Sequence, residues 1–225
     1  MVTNRKIAIC IPVHSMDNAP YFFTRCLDSI ISQTYDNFEV FVADNSDGDV
    51  LYKISQTYGM KITWIKNPIR GACVNTNKAI KGAKGEIIKI LHMDDLFAHK
   101  NALQSISETW RGGWLVTGCY HTNGKDRINP HFAMYNNNIH KGKNTIGSPS
   151  VLSFENNNPY LFDEESVWLF DCDLYKRLHK RYGMPTVLND FNVVIGIGTH
   201  QMTEKITQGR KDEEVLIMTK RYDTI

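Results

Sequence analysis

The stretch Lys89–Phe97, KILHMDDLF, ends an apolar run in two adjacent carboxylates, Asp94 and Asp95. Carboxylates at the end of a buried strand lose water and repel each other. A bound divalent cation would offset both costs. Mn2+ and Mg2+ prefer oxygen ligands, commonly one or two carboxylates completed by phosphates and water. Such an ion can act as a Lewis acid, stabilising negative charge that develops on a bound oxygen. Neighbouring strand residues point to opposite faces, so both aspartates can serve one site only where the chain turns. The bland alternative is a solvated turn in which Asp95 caps the next helix. His92 and His99 flank the pair. The chain has no C-x-x-C or H-E-x-x-H frame, so zinc is not expected.

The elements that must position these groups are legible in the first hundred residues. Lys6–Val13 is almost continuously apolar, which marks a central strand covered on both faces. Asp17 and Asn18 are cap candidates for a helix over Tyr21–Gln33. Phe38–Ala43 reads as a second strand that runs into the polar loop Asp44–Asp49. A short helix over Val50–Tyr58 stops at Gly59. Lys61–Lys66 is a third strand, a helix follows Gly71 to about Lys81, and Glu86–Leu91 is a fourth strand. The βαβαβαβ order predicts an α/β fold: a Rossmann-like, mostly parallel central sheet with helices on both faces. Ligands on such sheets bind beyond the carboxyl ends of the strands. His14, Asp44, Asp47, Asp94 and Asp95 all follow strand ends, so the topology gathers them at one edge.

The second half is less regular. Asn101–Trp110 reads as helix and Trp114–Tyr120 as strand. His121–Lys143, rich in Asn, His and Gly, reads as a long loop of the kind that is often functional. Order resumes at Gly147–Leu152. A helix is expected over Glu164–Arg181, with Val167, Phe170, Leu174 and Leu178 on its apolar face, then a strand over Val187–Ile197. The tail from Thr203 is amphipathic, with Asp212–Tyr222 helical.

A length of 225 residues fits a single domain with a sizeable core. The regular βα units fill about 1–97, and the less regular half with the helical tail fills about 98–225. A net charge of +2 gives no case for nucleic acid. Five scattered cysteines, an odd number, favour reduced thiols and a cytoplasmic location over a disulfide framework. The N-terminal apolar run is too short for a signal segment, and no run approaches the ~18 residues that span a bilayer. Peripheral contact with a membrane surface remains open.

Taken in order, these segments resemble the family-2 glycosyltransferases of the GT-A fold, which use nucleotide-diphosphate sugars. IPVHS looks like the family's opening strand and FVADNSDGD like its second strand and acidic loop. RGACVNTNKAIKGAKGEIIKILHMDD resembles the run from the glycine before the third helix to the metal-binding aspartates. IGSPSVL, FDEESVWLFDCDLYKRL and GTHQMT resemble the acceptor segment, the helix bearing the catalytic carboxylate and a late histidine segment. Two departures stand out. The usual D-x-D-D is His92-Met93-Asp94-Asp95, and the frequent Ala-Arg-Asn of the third helix is Asn75-Thr76-Asn77.

The resemblance implies an inverting, metal-dependent transfer of a sugar, with Mn2+ or Mg2+, from a nucleotide-sugar donor. The expected donor is a UDP-sugar. The acceptor is a glycan or lipid-linked sugar, as in polysaccharide biosynthesis. Pro12, His14, Asp44, Arg70, Asn77 and Asp94 fall on the donor side, Asp44 as an acceptor for a base N–H and Arg70 on the phosphates. Asp95, Asp94 and His200 fall at the metal. Ser148 and Trp168 fall on the acceptor side, and Asp171 is the general base. Asp173 is its nearest rival, but residues two apart on a helix lie about 200° apart, so only one can face the cleft. A non-catalytic module that kept the fold is the alternative. A sugar-1-phosphate nucleotidyltransferase would need a Gly-rich basic loop after the first strand, and PVHSMDNAP has none.

Overall fold

A computed structural model describes residues 4–223. Strand β1 (Ile7–Val13) is buried along nearly its whole length, as its unbroken apolar sequence requires. Helix α1 (Ala19–Ile31) follows, then β2 (Phe38–Asp44), α2 (Val50–Gln56), β3 (Ile62–Lys66), α3 (Ala72–Gly82) and β4 (Ile87–Ile90). β1 pairs in parallel with β2 on one side and β4 on the other, and β3 extends the sheet from β2. α1 buries Phe23, Cys26, Leu27 and Ile30, the 3–4–7 spacing of a helix stripe. Neither Asp17 nor Asn18 caps it through a side chain. Asn18 adopts φ 59° without a capping bond, and Pro20 occupies the first turn.

The second half adds β5 (Leu96–Phe97), α4 (Ala102–Thr109), β6 (Trp114–Thr122), β7 (Arg127–His131), β8 (Leu152–Glu155), α5 (Phe170–Tyr182), β9 (Thr186–Gly196), α6 (Met202–Lys205) and α7 (Gln208–Asp223). The strand order is β3-β2-β1-β4-β8-β6-β9-β5, with β7 on the side of β6. The first four strands are parallel. β8 then runs antiparallel to both β4 and β6, while β6 and β9 are parallel. The sheet core is one apolar cluster that includes Ile9, Ile88, Trp114, Leu152 and Tyr175.

Two expectations need correction. His121–Lys143 is not a structureless loop: it contains β7, which pairs with β6, and a 3-10 turn at Ile139–Lys141. The helix expected from Glu164 starts only at Phe170. The cause is Glu214 on α7. Its buried carboxylate accepts hydrogen bonds from the Val167, Trp168 and Leu169 N–H groups and the Ser166 hydroxyl. Those donors are satisfied outside a helix, and Val167 is exposed rather than on an apolar face. All five cysteines are free and buried. Among the described residues no helix is long and apolar enough to cross a membrane.

Candidate active site

The strand order reverses at β1, whose neighbours are β2 and β4. That switch point opens a crevice at the carboxyl ends of the strands. Two adjoining cavities fill it. The first, about 260 Å³, is lined by Pro12, His14 and Ser15 from the end of β1, by Asn45, by Arg70–Ala72, Asn75 and Thr76 at the start of α3, and by His92–Asp94 after β4. The second, about 400 Å³, shares His14, Ala72, His92 and Asp94 with the first. It adds Asp95, Asn144, Ser148, Trp168, Asp171 and His200. One lobe therefore belongs to the first half of the chain, and the other draws on the second.

The acidic pair sits where the two lobes meet. β4 stops at Ile90, and the chain turns back as Asp95 N–H donates to the His92 carbonyl at 3.0 Å. This turn lifts the pleat's alternation, so ligand atoms of His92, Asp94 and Asp95 lie within 4.8 Å of one another. Asp95 is held on both oxygens: Gly196 N–H donates to Oδ1 at 2.8 Å, and Ser148 Oγ lies 3.5 Å from Oδ2. Gly196 must be glycine, since a Cβ there would meet the Asp94 carbonyl at 2.6 Å. Asp94 Oδ2 lies 3.0 Å from His200 Nε2. Burial alone would push the Asp94 carboxyl up, but the His200 hydrogen bond and the His92 ring together outweigh it and hold it below the ordinary value. Burial and then the Asp94 charge push Asp95 well up, opposed by Ser150, Gly196 and Lys89. One imidazole nitrogen and two carboxylates on a shared turn, short of positive charge, are a donor set that fits a divalent cation.

Asp171 lies in the first turn of α5 on the wall of the second lobe. Its Oδ1 accepts from Cys172 N–H and its Oδ2 from Asn144 Nδ2, both at 2.7 Å. Burial nonetheless pushes the carboxyl up to about 6. Asp173 faces the other way. It is fully buried and accepts from Arg177, from Arg221 on α7 and from the Tyr222 hydroxyl. Trp168 lines the second lobe, with the Lys211 ammonium 5.6 Å from its ring centroid.

The remaining expected residues separate. Pro12, His14 and Arg70 line the first lobe, and Arg70 makes a two-pronged bond to Asp47 at 2.6 and 2.8 Å. Asp44 is buried behind the wall, where its carboxylate holds the Ser46 N–H and hydroxyl and pairs with Lys66 at 2.9 Å. Asn77 lines neither lobe. Its amide accepts from Phe162 N–H and donates to the Phe162 carbonyl and Glu164. Ser148 lies in the second lobe but beside Asp95. His200 reaches Asp94 rather than joining the three-ligand cluster. His99 is remote, bonded to Asn192 and Asp190.

Four residues escaped sequence reasoning. Asn144, inside the supposed loop, holds Asp171. Lys89 is fully buried in β4, its ammonium donating to the Ser150 carbonyl, and burial pulls its pKa down to about 7. A lysine in the midst of Ile-Ile-Lys-Ile was a visible signal. Glu214 shares the buried face of α7 with Met218, four residues on, the spacing of an inward stripe. Lys205 lines the second lobe from α6, and no local pattern marked it.

The signature described as glycosyl transferase family 2 matches residues 8–178, most of the chain. The chain belongs to glycosyl transferase family 2. It is 25% identical over 217 residues to the putative colanic acid biosynthesis glycosyl transferase WcaA of Escherichia coli K12, covering 90% of this chain and 76% of that one. It is 28% identical over 98 residues to glycosyltransferase GlyA of Streptococcus pneumoniae, or 42% of this chain and 14% of that one. A Rickettsia typhi glycosyltransferase is 33% identical over 91 residues, 40% of this chain and 28% of its own length. The matches thus span well under half of these last two relatives. Among solved structures, S. aureus TarS in complex with UDP-GlcNAc superposes with a TM-score of 0.70 at 19% identity, over 98% of this chain and 68% of that one. The mannosyltransferase PcManGT of Pyrobaculum calidifontis, in complex with GDP-Man and Mn2+, gives 0.65 at 15% identity, over 96% and 63%. These likenesses establish the GT-A-like fold.

Proposed function

We propose that the family-2 domain is an inverting, metal-dependent glycosyltransferase that moves a sugar from a UDP-sugar to a hydroxyl of a glycan or lipid-linked acceptor. The observation that carries this reading is the meeting of two lobes at Asp94, with a carboxylate of raised pKa, Asp171, on the far wall. The first lobe takes the donor. The N-terminus of α3 lines it with no side-chain cap and no acidic residue in its first turn, so its free N–H groups suit a diphosphate. Arg70 and Lys205 add positive charge at the rims of the two lobes. Asp44 holds the Asn45–Ser46 turn that walls the base end.

Asp94 and Asp95, with His92, would hold Mn2+ or Mg2+, and the ion would stabilise the negative charge of the leaving diphosphate. Asp171 takes the proton from the acceptor hydroxyl. The oxygen attacks the anomeric carbon on the face opposite the diphosphate, the old carbon–oxygen bond breaks, and the nucleoside diphosphate leaves with that electron pair. Asn144 keeps the Asp171 carboxylate aimed, and Trp168 offers an apolar face to a sugar ring.

The test is calorimetry of UDP, GDP and dTDP, each with and without Mn2+, on the native protein and Asp95→Ala. UDP binding that requires Mn2+ and vanishes in Asp95→Ala is expected. Binding of no nucleotide under any condition would sink the proposal.

A further inference from the structure

We infer that His121 orients the acceptor: its Nε2 accepts a hydrogen bond from a second hydroxyl of the acceptor sugar while the attacking hydroxyl is presented to Asp171. The inference rests on the glycosyltransferase reading above. It adds a class of acceptor, a sugar with at least two free hydroxyls rather than a simple alcohol or a lipid phosphate.

His121 stands near the carboxyl end of β6, paired with Ile195 of β9, and both residues line the second lobe. It differs from the other histidines of that lobe. His14 and His92 are shared with the first lobe, and His200 is bonded to Asp94. His121 belongs to the second lobe alone and lies outside the three-ligand cluster.

The hairpin that follows fixes the ring. Cys119 pairs with His131 and His121 with Ile128, so Asn129 and Pro130 stand opposite the single residue Tyr120. This bulge bends β7. Within it Asn129 takes φ 46°, a left-handed conformation that costs a side-chain-bearing residue energy. The Asn129 carbonyl lies 2.9 Å from His121 Nδ1. A carbonyl only accepts, so Nδ1 carries the proton. In the neutral ring Nε2 is then a bare acceptor, and no described residue donates to it. Two unfavourable backbone features thus hold one imidazole in one orientation and one tautomer.

The neighbouring polar groups are already committed. Asn144 donates to the Gly147 carbonyl and Asp171, and its oxygen accepts from the Ile146 and Gly147 N–H groups. Ser148 Oγ accepts from Ser150 N–H and lies beside Asp95. With one hydroxyl at Asp171, an acceptor sugar finds in His121 an unspent partner for another. A hydroxyl has the proton that Nε2 needs, and an ionised phosphate oxygen has none.

The test is nitrogen NMR of the full chain carrying 15N-histidine, with UDP and Mg2+ present and the His121 ring assigned by its absence from His121→Asn. The probes are methyl glycosides of glucose, galactose, N-acetylglucosamine and rhamnose, with isopropanol as a one-hydroxyl control. Before any probe is added, the ring should read as the Nδ1–H tautomer. At least one glycoside should shift Nε2 in the direction of an accepted hydrogen bond, and isopropanol should not. That glycoside should bind His121→Asn about fivefold more weakly or worse, since the asparagine can still donate to the Asn129 carbonyl but offers nothing in place of Nε2. His121→Gln, whose amide oxygen reaches the position of Nε2, should recover part of the loss. An Nε2–H tautomer in the absence of probe overturns the inference. So does a panel in which no glycoside moves Nε2, and so does equal glycoside affinity in the native protein and His121→Asn. Each of these with UDP still bound leaves the glycosyltransferase reading standing, whereas UDP that binds with neither Mg2+ nor Mn2+ removes both. Should His121→Asn fail to fold, the tautomer and the native titration decide, with the assignment taken from His121→Gln.

Discussion

Replacing Asp171 by Asn should make the protein more stable at neutral pH, and by an amount that depends on pH. Burial pushes the Asp171 carboxyl from 3.8 up to about 6. The folded protein therefore holds this proton more tightly than the unfolded chain does. Below pH 3.8 both states carry the proton, and the group costs nothing. Between 3.8 and 6 the unfolded chain ionises first and gains, so stability falls as pH rises, and above 6 the full cost is present. At 1.36 kcal/mol per unit, the cost is about 3 kcal/mol at pH 7.5 and about 1 kcal/mol at pH 4.5. Asp171→Asn removes it. The new amide can still accept from Cys172 N–H, but it sets an NH2 against Asn144 Nδ2, a lost hydrogen bond worth about 1 kcal/mol. The variant should then gain about 2 kcal/mol at pH 7.5 and nothing at pH 4.5. Urea unfolding of both proteins at the two pH values, with matching m-values, reads the difference directly. All other titrating groups are common to both proteins and cancel. A stability change that is the same at both pH values would refute the reasoning, because the hydrogen-bond loss alone is pH-independent. Sugar transfer by the variant should collapse while its stability rises, the exchange expected where a charge is buried for function.

Asn144→Ala should raise the Asp171 pKa further, since the Asn144 amide favours the charged carboxylate. A general base works only when ionised, so the acid limb of the kcat/KM profile for sugar transfer should move up by roughly one unit. Glu214→Ala should cost about 3 kcal/mol or more in urea unfolding, because it strips the acceptor from three backbone N–H groups and a buried hydroxyl at once. A loss under about 1 kcal/mol would mean that water replaces the carboxylate as the acceptor.

The first hundred residues were legible because each element there carries its own signal. β1 is an apolar run, α1 has a stripe, and Gly71 opens α3, although α2 ends at Gln56, short of the Gly59 expected to close it. Strand order placed His14, Asp44, Asp47, Asp94 and Asp95 at one edge; His14, Asp94 and Asp95 line the crevice, whereas Asp44 is buried behind its wall and Asp47 lines neither lobe. What stayed hidden depends on partners distant in sequence. β5 has two residues and β8 four, too few to show a period. The late start of α5 is imposed by Glu214, some fifty residues downstream, which takes the N–H groups that a helix would use. Helix geometry allows only one of Asp171 and Asp173 to face the cleft, and the family resemblance pointed to Asp171; the reason Asp173 is spoken for lies on α7. Asn77 shows the converse. Its place on α3 was right, and its facing was set by the Phe162 segment, which no local pattern announces.

The oddity of KILHMDDLF is resolved by position and by charge. Position comes first: the strand has already ended at Ile90, so Asp94 and Asp95 escape the alternation that would have sent them to opposite faces. Charge is met from within the same short stretch. Lys89 is the one cationic side chain buried in β4, and it stabilises ionised Asp95 through the interior. Yet burial pulls that ammonium down to about 7, so near neutral pH it is only partly charged. One lysine of reduced charge cannot balance two carboxylates and an incoming diphosphate. The arrangement is therefore stable enough to fold but electrostatically incomplete, with the shortfall concentrated where both lobes meet. A site built this way binds a cation and an anionic donor together more readily than either alone, which is why nucleotide affinity here should depend on metal.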